Sequence, residues 1–207
     1  MNHLVILEGP SGSGKSTAAI MLKNGGFRIY DNFWYPPDDH KTLCRIQSDI
    51  TLRYPWDSSN ESLQEYLIAS RLYMLSDNLQ LVHDRSLISW AYYNGHSVQK
   101  LFADYKYKYG KHFRAWVSEI RKWDNVSIVF LCPSEEEIYR RKFNRDTDYV
   151  SKVDIRRETK FFKEAAEVFY NLLSFETCVI TGDDPIDALD RSFKFIYRKG
   201  VDFAITT

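Results

Sequence analysis

Short apolar runs alternate along the chain with stretches whose apolar residues recur every three or four positions. The runs are Leu4–Leu7, Phe27–Tyr30, Leu81–His83, Val126–Leu131 and Thr177–Thr181. A short run with little polar interruption reads as a strand covered on both faces, and the helical periodicity between runs reads as crossover helices. The pattern predicts an α/β fold of three layers, a five-stranded parallel sheet flanked by helices.

Punctuation along the chain fills in this outline. Strand one, Leu4–Glu8, leads through a Gly-rich turn into a helix from about Gly14 to Asn24, stopped by Gly25-Gly26. The second strand ends at Asp31. Asn32–Pro55 is aromatic and broken by proline, a loop with a short helix near His40–Leu52. Ser58-Ser59-Asn60 caps a helix from Glu61 to about Leu79. Leu81–His83 ends at Asp84, and Ser86–Tyr93 reads as a helix closed by Asn94-Gly95. Helices are also expected over Val98–Tyr109 and Lys111–Trp123. After the fourth strand, Ser134-Glu135-Glu136-Glu137 has the form of a capping box. Val153–Ser174 is strongly helical, and Asp184-Pro185 opens the last helix with a side-chain cap and a proline in its first position. No repeat, low-complexity stretch or linker interrupts residues 1–207, so a single domain is expected.

The turn after strand one carries the chemistry. Gly9-Pro10-Ser11-Gly12-Ser13-Gly14-Lys15-Ser16-Thr17 satisfies G-x-x-x-x-G-K-[ST]. Its glycines let successive backbone N–H groups curl round a phosphate, and the helix that follows adds positive potential. Lys15 suits the β- and γ-phosphates, and the Ser16 hydroxyl suits Mg²⁺. The strand before and the helix after separate this motif from an ordinary Gly/Ser turn. The expected ligands are ATP and Mg²⁺.

In open parallel sheets ligands lie at the carboxyl ends of the strands. Asp84-Arg85 falls there. Its carboxylate suits Mg²⁺ and its guanidinium suits an acceptor phosphate, or the two form an ordinary strand-end ion pair. Asp31 falls there too, either as a general base or as the cap of a turn. Arg140, Arg141, Lys142 and Arg145 form a cationic cluster that reads as just past a helix. It suits an arginine-bearing lid over about 140–152 that offsets charge during phosphoryl transfer, the alternative being a solvated helix face. Arg71 lies on the apolar side of the Glu61–Leu79 helix, as a core ion pair or a contact to a base. Tyr105-Lys106-Tyr107-Lys108-Tyr109 interleaves aromatics with cations, a pattern that suits single-stranded nucleic acid or a solvated helix with one aromatic face.

Composition trims these options. Lys+Arg 28 balances Asp+Glu 28 over 207 residues, so no global field draws the chain to nucleic acid or membrane, and a small-molecule nucleotide partner is favoured. No apolar run is long enough to span a bilayer and no signal peptide is evident, so a cytoplasmic protein is expected. Cys44, Cys132 and Cys178 are scattered and read as reduced thiols. The five histidines show no ligand spacing.

Over nearly its whole length the chain resembles the thymidylate kinases, within the P-loop nucleoside and nucleoside-monophosphate kinases. The likeness rests on Leu7-Glu8-Gly9 through Thr17, on Tyr66–Arg71, on Asp84-Arg85-Ser86-Leu87-Ile88-Ser89-Trp90-Ala91-Tyr92-Tyr93-Asn94-Gly95, on Cys132-Pro133 with Glu137–Arg145, and on Glu158–Tyr170. It implies a kinase that passes the γ-phosphate of ATP to a pyrimidine deoxynucleoside monophosphate, dTMP or a modified relative. By the same resemblance Arg85 holds the acceptor phosphate, Arg71 contacts the base, and Ser89, Tyr93 and Asn94 lie near sugar and base. Adenine is expected at Thr181–Asp184, and a homodimer is implied. The departures fall on the acceptor side. Ser11 stands where the family has an acidic residue, Ser86 replaces its tyrosine, and Asn94 replaces its glutamine. Ser86 is similar to the deoxynucleoside kinases, whose acceptor is a hydroxyl; there Asp31 would be the base.

Overall fold

In the computed structural model, the residues described are 2–30, 80–93, 95, 97–99, 117–118, 120–145, 151–173 and 175–197. The elements are β1 (His3–Glu8), α1 (Lys15–Asn24), β2 (Arg28–Tyr30), β3 (Gln80–Asp84), α2 (Leu87–Tyr93), β4 (Asn125–Leu131), α3 (Glu135–Arg145), α4 (Lys152–Leu173), β5 (Glu176–Ile180) and α5 (Pro185–Tyr197). The five strands form one sheet in the order β2-β3-β1-β4-β5, with every pairing parallel. The expected three-layer architecture is therefore present. The strands lie within a residue or two of the apolar runs, as hydrogen-bonded ladders extend slightly past the buried stretch.

Alternation along the strands divides the core. In β1, Leu4 and Ile6 face α2 and α4, where they meet Ile88, Phe162, Ala165 and Phe169. Val5 and Leu7 face α1 and α5, where they meet Ala18, Leu22, Phe195 and Ile196. Period-two side chains on a sheet covered on both faces explain why the β1 run is unbroken. Phe162 and Phe169 are fully buried. Truncating either to Ala would cost about 3–5 kcal/mol.

Helix ends follow local chemistry with one exception. At the end of α1 the Gly26 N–H donates to the Lys23 carbonyl and the Phe27 N–H to that of Leu22, a Schellman arrangement with Gly26 at positive φ. Asp184 Oδ1 caps α5 by accepting from the Ile186 N–H at 2.8 Å. The exception is the capping box of α3. Ser134 Oγ accepts from the Glu137 N–H, but the Ser134 N–H donates to Asp183 Oδ1 at 2.6 Å rather than to Glu137. Asp183 therefore replaces the carboxylate that the sequence pattern assigns to this role, and Glu137 is free to bind arginine.

One further expectation changes. The cationic run 140–145 lies inside α3, not past its end. The helices expected near His40–Leu52 and over Glu61–Leu79, the Tyr105–Tyr109 stretch, and most of Val98–Tyr109 and Lys111–Trp123 lie outside the described residues. Among the described residues, no helix is long and apolar enough to cross a membrane. Cys132 and Cys178 are free thiols, with burial pushing the former up to about 12 and the latter up to about 11.

Candidate active site

The carboxyl ends of β1, β3 and β4 converge on a cavity of about 300 Å³. Its walls include Ser11 to Thr17, Arg85 and Arg141. The loop leaves β1 through Gly9, whose φ is 138°, and a Cβ there would overlap the Leu131 carbonyl oxygen. Only glycine lets the chain turn this close to β4. Gly14, at φ 101°, then opens α1 with no side-chain cap, which leaves first-turn N–H groups for an anion.

Lys15 is 4% exposed, and its Nζ donates to the carbonyls of Gly9 at 2.8 Å and Pro10 at 2.7 Å. Burial, with the nearby Arg85 charge, brings its ammonium down to about 8. Ser16 Oγ donates to Asp84 Oδ2 at 2.6 Å. This pairing follows from register, because Asp84 lies beside Leu7 and therefore on the α1 face of the sheet. The other carboxylate oxygen, Asp84 Oδ1, is buried and has no hydrogen-bond partner among the described residues. A carboxylate oxygen so placed beside a hydroxyl suits a hard divalent cation. Among the described residues, no cluster of three or more His, Cys, Asp or Glu side chains forms a metal cage.

Arg85 is the one non-glycine residue at positive φ among the described residues, at 87°. Such conformations are unfavourable for a residue with a Cβ and gather at functional sites. Its N–H donates to the Leu7 carbonyl at 3.0 Å. Its guanidinium lies over the Tyr93 ring, 5.2 Å from the centroid, and donates to the Tyr93 hydroxyl at 2.8 Å. Burial opposes its charge, but Tyr93, Glu8 and Asp84 outweigh that and raise its pKa.

Glu158 ties this wall to the loop. Its Oε1 accepts from the Ser11 N–H at 2.8 Å and from the Tyr93 hydroxyl at 2.9 Å, while Lys142 Nζ lies 3.3 Å from Oε2. Arg141 closes the other side. It donates to the Ser13 carbonyl at 3.2 Å, to the Asp183 carbonyl at 2.8 Å and to Glu137 at 2.6 Å. Arg140 also donates to Glu137, but its side chain points to solvent. Hydrogen bonds from Arg140 and Arg141 hold the Glu137 carboxyl down to about 2.

The sequence-derived site residues thus separate into groups. Gly9, Pro10, Ser11, Gly12, Ser13, Gly14, Lys15, Ser16 and Thr17 form one continuous loop and helix start. Asp84, Arg85, Tyr93 and Arg141 gather round it. Ser89 does not face the cavity; it is 2% exposed and donates its hydroxyl to Glu8 at 2.6 Å. Arg145 ends α3. Asp31, Arg71 and Asn94, and the side chain of Arg145, lie outside the described residues.

Sequence reasoning gave no role to Glu158 or Glu8, yet both are buried carboxylates at the cleft. A signal existed for each. Glu158 interrupts the apolar stripe of Ile155, Phe162, Ala165 and Phe169 on α4. Glu8 ends an otherwise apolar strand, on the face of Leu4 and Ile6.

No protein-family model matches the chain, and no curated protein matches it. Solved structures do. The YorR protein of Bacillus subtilis, in complex with phosphorylated GDP, is similar at 20% identity and a TM-score of 0.55, over 92% of this chain and 94% of that one. The deoxyadenosine kinase of M. mycoides with bound dATP is similar at 14% identity and a TM-score of 0.50, over 94% and 98%. These likenesses, with the all-parallel five-stranded sheet, show the three-layer P-loop kinase fold.

Proposed function

We propose that the chain is an ATP-dependent phosphotransferase acting on a nucleoside-like small molecule. The finer proposal is a pyrimidine deoxynucleoside monophosphate acceptor, dTMP or a modified analogue, giving the diphosphate. The observation that carries this reading is that Lys15 and Arg85 line one cavity. One cation suits a donor phosphate, and the other suits an acceptor. The deoxyadenosine kinase and the GDP-bound YorR protein on the same fold are in keeping with a nucleoside-like substrate.

In this proposal the loop amides and Lys15 cradle the donor phosphates. Ser16 and Asp84 would hold Mg²⁺, which neutralises donor-phosphate charge when bound. Arg141, anchored by Glu137 and reaching the loop at Ser13, adds positive charge beside the transferring group. Arg145 and the segment to about residue 152 complete a lid. Arg85 forks onto the acceptor phosphate beside Tyr93. Arg71 and Asn94 remain proposed for the base and sugar, whereas Ser89, expected there too, turns its hydroxyl to Glu8 and away from the cavity. An acceptor phosphate is already ionised and needs no general base.

A nucleoside acceptor is the second reading. Ser86 and the deoxyadenosine kinase likeness favour it, and Asp31 would then take the hydroxyl proton. The test offers purified protein labelled ATP with dTMP, thymidine, other deoxynucleosides and a 5′-hydroxyl oligonucleotide. Labelled dTDP is the expected product. Transfer to nucleosides alone selects the second reading, transfer to the oligonucleotide alone selects a polynucleotide kinase, and no transfer to any acceptor removes the enzyme proposal.

A further inference from the structure

Glu8 is the last residue of β1 and is 0% exposed. Strand alternation turns it toward α2. There its two oxygens each accept one hydroxyl, Oε1 from Ser86 and Oε2 from Ser89 at 2.6 Å. Both serines are themselves buried, and Ser86 Oγ also accepts from the Ile88 N–H at 3.2 Å. Beside Ser86 stands Arg85 at φ 87°. Lys15 and Arg85 both lie within electrostatic reach of the carboxylate.

A buried carboxylate held by neutral hydroxyls is a costly choice for a mere spacer, since an uncharged residue would fill the space more cheaply. What Glu8 does have is position. It joins the strand that launches the phosphate loop at Gly9 to the turn that carries Arg85. We propose that Glu8 is a positioning residue of the cleft: by gripping Ser86 and Ser89 it holds Arg85 in its left-handed conformation and aims the guanidinium across the cavity from Lys15. The inference rests on the reading above in giving Arg85 an acceptor to hold.

The test compares Glu8→Ala, Glu8→Gln, Ser86→Ala and Ser89→Ala in the full chain. With ATP and dTMP, Glu8→Ala is expected to lose about 100-fold in kcat/KM for the acceptor. Glu8→Gln, which can still meet both hydroxyls, is expected to keep part of the activity. KM for ATP should stay within about twofold in each. In an Arg85→Ala background Glu8→Ala should add less than about twofold, since the two act as one unit. Full additivity with Arg85→Ala, or equal loss on both substrates, would overturn the proposal as a general structural effect. Should Glu8→Ala fail to fold, the serine variants carry the test, and unchanged acceptor kinetics in both of them would overturn it. If the wild type transfers phosphate to no acceptor, the functional reading fails but the positioning claim is still decided by a crystal structure of a Ser86→Ala/Ser89→Ala variant. Arg85 is expected to leave the left-handed region there; φ still near 87° would sink the claim.

Discussion

On the phosphate-loop side the wall of the cleft is mostly backbone, drawn from consecutive residues between Gly9 and Thr17. On the opposite side the wall is side chains from three elements. Arg85 follows β3, Tyr93 ends α2 and Glu158 projects from α4, and the bond from Ser11 to Glu158 spans 147 positions of sequence. A backbone cradle depends on a few φ values that glycine makes accessible. A side-chain wall depends on strand register, helix docking and hydrogen bonds between distant residues. The first is robust to what surrounds it. The second is adjustable, and Ser86, next to Arg85, is a position there at which the sequence departs from the thymidylate kinase pattern it resembles.

The largest expected effects test whether the two walls serve different substrates. Lys15→Ala should lower kcat with ATP about 1000-fold, because a preorganised cation at the transferring phosphate is lost. Arg85→Ala should lower kcat/KM for the acceptor about 100-fold and leave KM for ATP within about twofold. Steady-state kinetics with each substrate varied in turn reads both. If Arg85→Ala raises KM for ATP as much as it raises KM for the acceptor, the division between the walls fails.

The same contrast governs what could be read without coordinates. Gly9, Gly14 and Lys15 declare themselves because a contiguous motif carries its own geometry. The sheet was equally plain, since each strand is a short apolar run. Register and helix phase were not. The run Arg140-Arg141-Lys142 reads as one cationic patch, yet successive helical residues point about 100° apart. In α3 Arg140 therefore reaches solvent, Arg141 reaches the Ser13 carbonyl and Lys142 reaches Glu158. The capping box misled for a related reason. Asp183, 49 residues away, competes with Glu137 for the Ser134 N–H, and nothing local announces that competitor. Glu8 and Glu158 were within reach of the parity and stripe arguments, because a lone charge on an apolar face needs a partner.

Alkaline pH offers a way to weaken one wall without a mutation. Burial brings Lys15 down to about 8, whereas the Arg85 pKa is raised. The protonated ammonium is the form that attracts phosphate. Its fraction is one half near pH 8 and approaches a tenfold fall per unit only well above it. The kcat/KM for ATP, which reports the free enzyme, should thus fall about 16-fold between pH 8 and pH 9.5. Arg85 stays charged throughout, so acceptor binding to the ATP-loaded enzyme should lack this limb. A flat ATP profile to pH 9.5 would show that Lys15 keeps an ordinary lysine pKa and that burial does not tune this wall.

The smallest expected effect is the most discriminating, because Tyr93 stands where the two walls touch. Its hydroxyl accepts from Arg85 at 2.8 Å and donates to Glu158 at 2.9 Å, and Glu158 in turn holds the Ser11 N–H of the loop. Burial and the neighbouring Glu158 outweigh Arg85 and push the phenol up to about 12, so it remains a donor at any working pH. Tyr93→Phe removes both hydrogen bonds but keeps the ring under the Arg85 guanidinium. Tyr93 is 55% exposed, so water takes over part of what the hydroxyl supplied. A net loss near that of one ordinary hydrogen bond then remains, equivalent to about a fivefold rise in acceptor KM with kcat little changed. KM for ATP should not move, because Glu158 keeps Ser11 and Lys142. An equal rise in KM for ATP would mean that the phenol acts through Glu158 on the loop itself. The cleft would then have one coupled wall, and binding of either substrate would set the affinity for the other.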